Sequence, residues 1–288
     1  MSDLLAIRDL TEESLRQILA LSEPNVAPQP LRGKGVALYF EKPSARTRNS
    51  MEMAVVQLGG HPVAIQKEEI GLGTRESAAD VARTLACYHS LIAARVHDHR
   101  LLEQMAAAVS APVLNMLSST DHPLQALADL LTIQQLLGKI EGVRVAFIGD
   151  ANNVARSLAE GCSMLGAEFI AASPPGHGFA DPPPGVRQVT DPREALEGAQ
   201  IVYTDVWISM GQPGYTEGPP DLFAPYQVNA QLMARSPDAW FMHCLPARRD
   251  EEVTDEVIES SRSAVWLQAE NRMHTARGAM AWMLGVTP

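Results

Sequence analysis

Short apolar runs alternate with helical patterns along this chain, and the alternation runs twice. In the first series residues 36–40, 63–65, 91–95 and 112–116 read as strands. Between them, Thr47, Met51, Ala54, Val55 and Leu58 share one helical face that stops at Gly59-Gly60, and further helices fall near residues 78–88 and 101–109. Ahead of the series, Thr11 is suited to cap a helix whose dipole Glu12 and Glu13 complement. Leu10 and Leu15 have the spacing of a hydrophobic staple. Pro123 opens another helix, with Leu124, Leu127, Ala128 and Leu131 in phase and an end at Gly138. The second series has strands at 144–149, 168–172, 201–205, 240–244 and 264–267, with helices at 154–165 and 271–284. Asp191-Pro192-Arg193-Glu194 reads as N-cap, first helical residue and capping-box partner of a short helix. Residues 174–185 and 207–225 carry no period, and a loop as long as the second is usually functional or disordered.

Apolar strands separated by helices form parallel sheets covered on both faces. The expected fold is therefore α/β, with two doubly wound parallel-sheet domains and a ligand cleft between them. A length of 288 residues, about twice that of a usual domain, agrees with this. With 46% hydrophobic residues the chain fills a core and is not a disordered chain. No apolar run approaches the roughly 18 residues of a membrane span. Met1-Ser2-Asp3 lacks the basic head of a secretory signal. Cys87, Cys162 and Cys244 show no CxxC spacing, which argues against a zinc ribbon or disulfide framework and for a reducing, cytoplasmic compartment. A net charge of −11 argues against nucleic acid and acidic membranes as partners.

Parallel sheets bind ligands beyond the carboxyl ends of their strands, so the residues after each strand matter most. Ser44-Ala45-Arg46-Thr47-Arg48 lies between a strand and a helix. Two arginines in a first helical turn oppose the helix dipole. A bound anion removes the conflict, with backbone N–H groups, the Ser44 and Thr47 hydroxyls and Arg46 converging on it. A solvated Arg-rich turn is the plainer alternative. Arg95 ends an apolar strand; a surface arginine is common there, but one at a strand's carboxyl end also points towards the cleft. His122 and Gln125, three apart at a helix start, face one ligand: an imidazole N–H donates to a carbonyl, and a carboxamide oxygen accepts from an amide. Otherwise His122 is a helix cap. Gly149-Asp150-Ala151-Asn152-Asn153 is not a dinucleotide fingerprint, and no GxxxxGK[ST] loop exists, which argues against NAD and ATP. Asp205 at a strand end, beside two asparagines at a neighbouring one, suits a ligand carrying an amine, although each residue alone is a turn former. His243-Cys244 lacks zinc partners at suitable spacing, and neighbours on a strand point to opposite faces, which disfavours a catalytic pair. Arg272 repeats, at the expected start of the last helix, the conflict seen at Arg46.

These segments resemble the transcarbamoylase family, and its ornithine-using branch in particular. Five motifs in family order carry the resemblance along almost the whole chain: Ser44-Ala45-Arg46-Thr47-Arg48, His122-Pro123-Leu124-Gln125, Asp205-Val206-Trp207-Ile208-Ser209-Met210-Gly211, His243-Cys244-Leu245-Pro246 and Ala269-Glu270-Asn271-Arg272. The resemblance implies a carbamoyl phosphate-binding domain over residues 1–134, completed by a C-terminal helix at 273–288, and an ornithine-binding domain over 135–272. It implies a homotrimer or a multiple of trimers. Ser44, Ala45, Arg46, Thr47, Arg95 and Arg272 match carbamoyl phosphate contacts, and His122 and Gln125 match the pair that reads the carbamoyl group. Asn153, Asp205, Ser209 and Met210 match ornithine-binding positions, with Cys244 and Leu245 beside the reacting amine.

By this resemblance the neutral δ-amine of L-ornithine attacks the carbamoyl carbon of carbamoyl phosphate, giving citrulline and phosphate. Arg95, His122 and Thr47 stabilise the oxyanion, and Asp205 and Cys244 serve on the amine side. No metal or organic cofactor is expected. Two departures stand out. Ala45 replaces the usual Thr, losing a hydroxyl but keeping a backbone N–H, and Gly71 aligns with a Gln that many members contribute across a subunit contact. The chain is also short for the family, mostly around its Pro-rich loop. Two alternatives stay open: a transcarbamoylase with another acceptor, such as aspartate, putrescine or an acylated ornithine, and a catalytically silent binding homologue.

Overall fold

A computed structural model of the chain describes residues 2–23, 28–208 and 221–288. It separates into two compact units, Met1–Leu131 with Asn271–Pro288, and Thr132–Glu270. The first unit contains α1 (Glu12–Leu21), β1 (Gly35–Phe40), α2 (Ala45–Gln57), β2 (His61–Gln66), α3 (Lys67–Ile70), α4 (Ala78–Ala86), β3 (His89–Arg95), α5 (His99–Ala108) and β4 (Val113–Leu117). The unit boundary falls within α6 (Pro123–Leu137). The second unit contains β5 (Arg144–Ile148), α7 (Asn153–Met164), β6 (Glu168–Ala172), β7 (Arg187–Val189), α8 (Pro192–Leu196), β8 (Ile201–Thr204), α9 (Ala230–Met233), β9 (Trp240–His243) and α10 (Asp255–Ile258). The last helix, α11 (Val265–Met283), runs from the second unit back into the first.

The first sheet has the order β2-β1-β3-β4 with every pair parallel. Connections leave β1 in both directions, so the topological switch lies between β1 and β3, where ligands bind in such folds. Register places Phe40 opposite Arg95, so the loops after both strands open at one point. Ala37, Tyr39, Ile92 and Ala94 pack with Val81, Leu85, Leu102 and Met105 of α4 and α5. The second sheet, β7-β6-β5-β8-β9, is also all parallel. Ile148 lies opposite Thr204, and Thr204 opposite His243, so residues 149, 205 and 244 follow three adjacent strand ends. This is the doubly wound pair of parallel sheets that the apolar alternation predicts.

Three local expectations are corrected. Residues 264–267 are not a strand: Ser263 makes a single bridge to Phe241, Ala264 N–H donates to the Phe241 carbonyl, and α11 begins at Val265. Glu194 does not close a capping box; it pairs with Arg187 at 2.8 Å, while Asp191 alone caps α8 through the Arg193 N–H. Within 207–225, residues Asp221–Tyr226 form a 3-10 helix with Phe223 buried.

Candidate active site

The first constellation gathers around the switch point of the first unit. Ser44 caps α2, accepting from the Thr47 N–H, and its hydroxyl lies 3.1 Å from Thr47 Oγ1. Thr47 Oγ1 also accepts from Arg95 at 3.3 Å, which ties the start of α2 to the end of β3. Of the two first-turn arginines, Arg48 is paired with Glu52 at 2.8 Å. Arg46 is exposed and, among the described residues, makes no ion pair. Ala45 is exposed beside it. Arg272 is buried and donates to Gln125 Oε1 at 2.5 Å, while Gln125 Nε2 donates to Asp129 Oδ1 at 2.8 Å. Because α11 begins at Val265, Arg272 sits well inside the helix, and the dipole conflict expected of it does not arise.

What Arg272 meets instead is like charge. Burial, then Arg272 and Arg46, pull the Arg95 pKa down to about 10. Burial, then Arg272 and Arg95, hold the His122 pKa well below the usual histidine value of 6.5. His122 is therefore a neutral imidazole at pH 7, able to donate a hydrogen bond without adding a cation. Mutually repelling arginines around a neutral donor are chemically suited to hold an anion and to polarise a carbonyl oxygen.

The second constellation lies at the three adjacent strand ends of the second unit. Asp205 is buried, and its carboxylate accepts from Asn152 Nδ2 at 2.8 Å, the Val206 N–H at 2.8 Å and Cys244 Sγ at 3.0 Å. Asn152 touches Asp205 directly. It also caps α7 by accepting from the Val154 and Ala155 N–H groups, whereas Asn153 is the first helical residue. N-cap logic applied to the apolar period from Val154 would have selected it. Asp150 accepts from or donates to His177 Nδ1 at 2.9 Å, and burial is the main cause that raises its pKa above 3.8. Ser209 and Met210 lie outside the described residues.

The spacing argument against His243-Cys244 needs correction. β9 ends at His243, so strand alternation does not govern Cys244, and one ligating atom each from Asp205, His243 and Cys244 lie within 4.8 Å of one another. Both imidazole nitrogens are nevertheless engaged: Nδ1 accepts from the Leu245 N–H at 2.8 Å, and Nε2 meets Glu252 at 3.0 Å. That leaves no histidine lone pair for a metal or for activating the thiol.

Comparison with known proteins gives the family of the chain. Residues 2–135 match the family model for the aspartate/ornithine carbamoyltransferase carbamoyl-P binding domain, and residues 141–283 match that for the Asp/Orn binding domain. The chain belongs to this family. It is 45% identical over 305 residues to an ornithine carbamoyltransferase from Hyperthermus butylicus, covering 98% of this chain and 97% of the relative. It is 42% identical over 303 residues to an anabolic ornithine carbamoyltransferase from Pyrococcus furiosus, covering 98% and 96%. A solved ornithine carbamoyltransferase from Pyrococcus furiosus superposes with a TM-score of 0.92 at 40% identity, over 99% of this chain and 98% of that one. Ser44, Thr47, Arg95, His122 and Gln125 fall in the stretch matched by the carbamoyl-P model, and Asp205 and Arg272 in that matched by the Asp/Orn model.

Proposed function

We propose that this chain transfers the carbamoyl group of carbamoyl phosphate to the δ-amine of L-ornithine, giving citrulline and phosphate in arginine synthesis. The observation that carries the reading is the set of half-buried Arg95 with buried Arg272, neutral His122 and Gln125, which combines anion binding with donors for a polarised carbonyl. Ser44, Ala45 through its backbone N–H, Arg46 and Thr47 receive the phosphate oxygens at the start of α2. Arg95, His122 and Thr47 face the carbonyl oxygen, where charge develops as the amine adds. Gln125, turned by Asp129 and Arg272, offers its second oxygen lone pair to the carbamoyl NH2. Asp205 supplies the carboxylate that draws a cationic acceptor, with Asn153, Ser209 and Met210 completing the ornithine subsite and Cys244 and Leu245 bordering the reacting amine.

The amine adds as its free base. Its nitrogen bonds to the carbamoyl carbon, the carbon–oxygen bond to phosphate breaks, and the amine's extra proton leaves with phosphate or solvent. The chain's own groups balance this chemistry without a metal or organic cofactor. We extend the proposal to assembly as a homotrimer or a multiple of trimers, for which the exposed apolar side chains of Met53, Val56 and Tyr88 on the first unit are available as contact surface. Gly71 closes α3 in the left-handed region at φ +69°, so a neighbouring subunit's share of the site takes another form than the family Gln. No disulfide joins Cys87, Cys162 and Cys244, which supports a cytoplasmic location. No described helix is long and apolar enough to cross a membrane. A colour assay for citrulline, run with carbamoyl phosphate and ornithine, N-acetylornithine, putrescine or aspartate, tests the reading. Product from ornithine alone is expected; turnover of another amine in preference would reject it.

A further inference from the structure

His243 and Glu252 have no role in the chemistry above, yet they are 1% and 0% exposed. Their hydrogen bonds form a closed set. Nδ1 of His243 accepts from the Leu245 N–H, so the network assigns the neutral tautomer with its proton on Nε2. That Nε2–H donates to Glu252 Oε1 at 3.0 Å, and the same oxygen accepts the Arg248 N–H at 2.7 Å. The His243 backbone N–H donates to Gln268 Oε1 at 2.9 Å, and Gln268 in turn reaches the Tyr203 hydroxyl at 3.0 Å. Leu245 itself is held at φ +59°, a region that side chains disfavour unless the surroundings impose it.

We propose that His243 and Glu252 are positioning residues for carbamoyl transfer, which together fix the Cys244–Leu245 peptide against the reacting amine. In a trans peptide the N–H and C=O point in opposite directions. With the Leu245 N–H turned to the imidazole, the Cys244 carbonyl is turned away from it. On that segment, Cys244 Sγ already meets Asp205, the carboxylate assigned to the acceptor. The carboxylate of Glu252 sets the ring, the ring sets the peptide plane, and the plane presents an acceptor to an amine that becomes cationic as it adds. Stability alone does not explain the pair. A buried polar pair of this kind is often matched or exceeded in stability by apolar residues of similar volume, and Glu252 Oε2 has no hydrogen bond among the described residues.

The proposal rests on the ornithine reading, and the test separates the two. Initial rates against ornithine at saturating carbamoyl phosphate, calorimetric binding of inorganic phosphate and thermal unfolding are compared for the intact wild type, Glu252→Leu, Glu252→Gln and His243→Gln. Glu252→Leu lowers kcat about 10²-fold, the loss expected of a reacting group displaced by about 1 Å, with phosphate affinity unchanged. Glu252→Gln keeps an oxygen acceptor for both N–H donors and retains most of the rate. Should Glu252→Leu fail to fold, His243→Gln still decides the matter, because it keeps a donor for Glu252 but removes the acceptor for Leu245, and it loses kcat to the same degree. Full kcat in a folded Glu252→Leu or His243→Gln, an equal loss in Glu252→Gln, or phosphate affinity falling in step with kcat overturns the positioning role. Wild-type chain that makes no citrulline overturns the ornithine reading and this proposal with it.

Discussion

A buried histidine that stays neutral ties the stability of the fold to pH. In the unfolded chain His122 takes up a proton near the usual 6.5, and in the folded chain only at much lower pH. Below 6.5 the unfolded state therefore binds more protons, so this contribution is intact above 6.5 and is lost as pH falls towards the folded value. One proton corresponds to about 1.4 kcal/mol per pH unit. Urea unfolding at about pH 7.5 and about pH 5.5 should show wild type losing more stability than His122→Asn, by an amount of that order. Identical losses would contradict a neutral His122. Arg46 behaves differently because it is exposed, so the large penalty of stranding a buried charge does not apply to it. Arg46→Ala is expected to weaken carbamoyl phosphate binding by about 1.5–3 kcal/mol, the worth of a hydrogen bond to a charged group. Calorimetry giving wild-type affinity would remove Arg46 from the site. Residues such as Ser44, Arg46 and Thr47 are legible in the sequence because one short segment carries cap, hydroxyl and charge together. Asp129 and Glu252 are not: Asp129 is a single acid in an apolar helix and Glu252 the last of three consecutive acids, and only the fold reveals the side chain that each orients.

Helix ends separate stability from binding. Thr11 and Ser44 are both N-caps, accepting from the Ser14 and Thr47 N–H groups respectively. Thr11→Ala should cost about 0.5–2 kcal/mol of stability and leave phosphate binding unchanged, since α1 bears only the cap. Ser44→Gly, which keeps most of a cap's worth, should leave the melting midpoint near wild type while lowering affinity for phosphate. The reverse pattern in melting and calorimetry would show the two caps misassigned. In α11, Gly278 lies where an added Cβ would stand 2.7 Å from the Ile18 carbonyl, and Arg277 donates to the Ser22 and Glu23 carbonyls. Here a glycine inside a helix marks close approach rather than a break. Elements with long apolar periods are read correctly from sequence, among them α1, α2, α7 and the six strands of five residues or more. The failure at 264–267 has a physical cause: Ala264, Val265, Trp266 and Leu267 are apolar in a row, and a short apolar run does not distinguish strand from buried helix. The short α3 and β7 fall below the length at which any period shows.

At the scale of the whole molecule, charge opposes the assigned substrate. A net charge of −11 repels a dianion from afar, whereas Arg46, Arg95 and Arg272 attract it close at hand. The distant repulsion is screened over about 10 Å at 0.1 M salt, while contacts with partly buried groups are screened much less. Binding at physiological salt is therefore governed by the local arginines. Those arginines are themselves unfavourably placed: Arg95 is pulled to about 10 by burial and by its like-charged neighbours. An anion among them offsets the repulsion only in the folded state, so it must stabilise folding by linkage. Inorganic phosphate, which shares the charge and geometry of the transferred group's carrier, is the simplest probe. At about 100 times its dissociation constant it should add about 2.7 kcal/mol, or roughly 5–10 °C in melting temperature. Arg95→Met removes one cation and the donor to Thr47, and the same phosphate concentration should then raise its midpoint little. Equal shifts in the two proteins would place the phosphate elsewhere and contradict the assignment of Arg95 to the anion site.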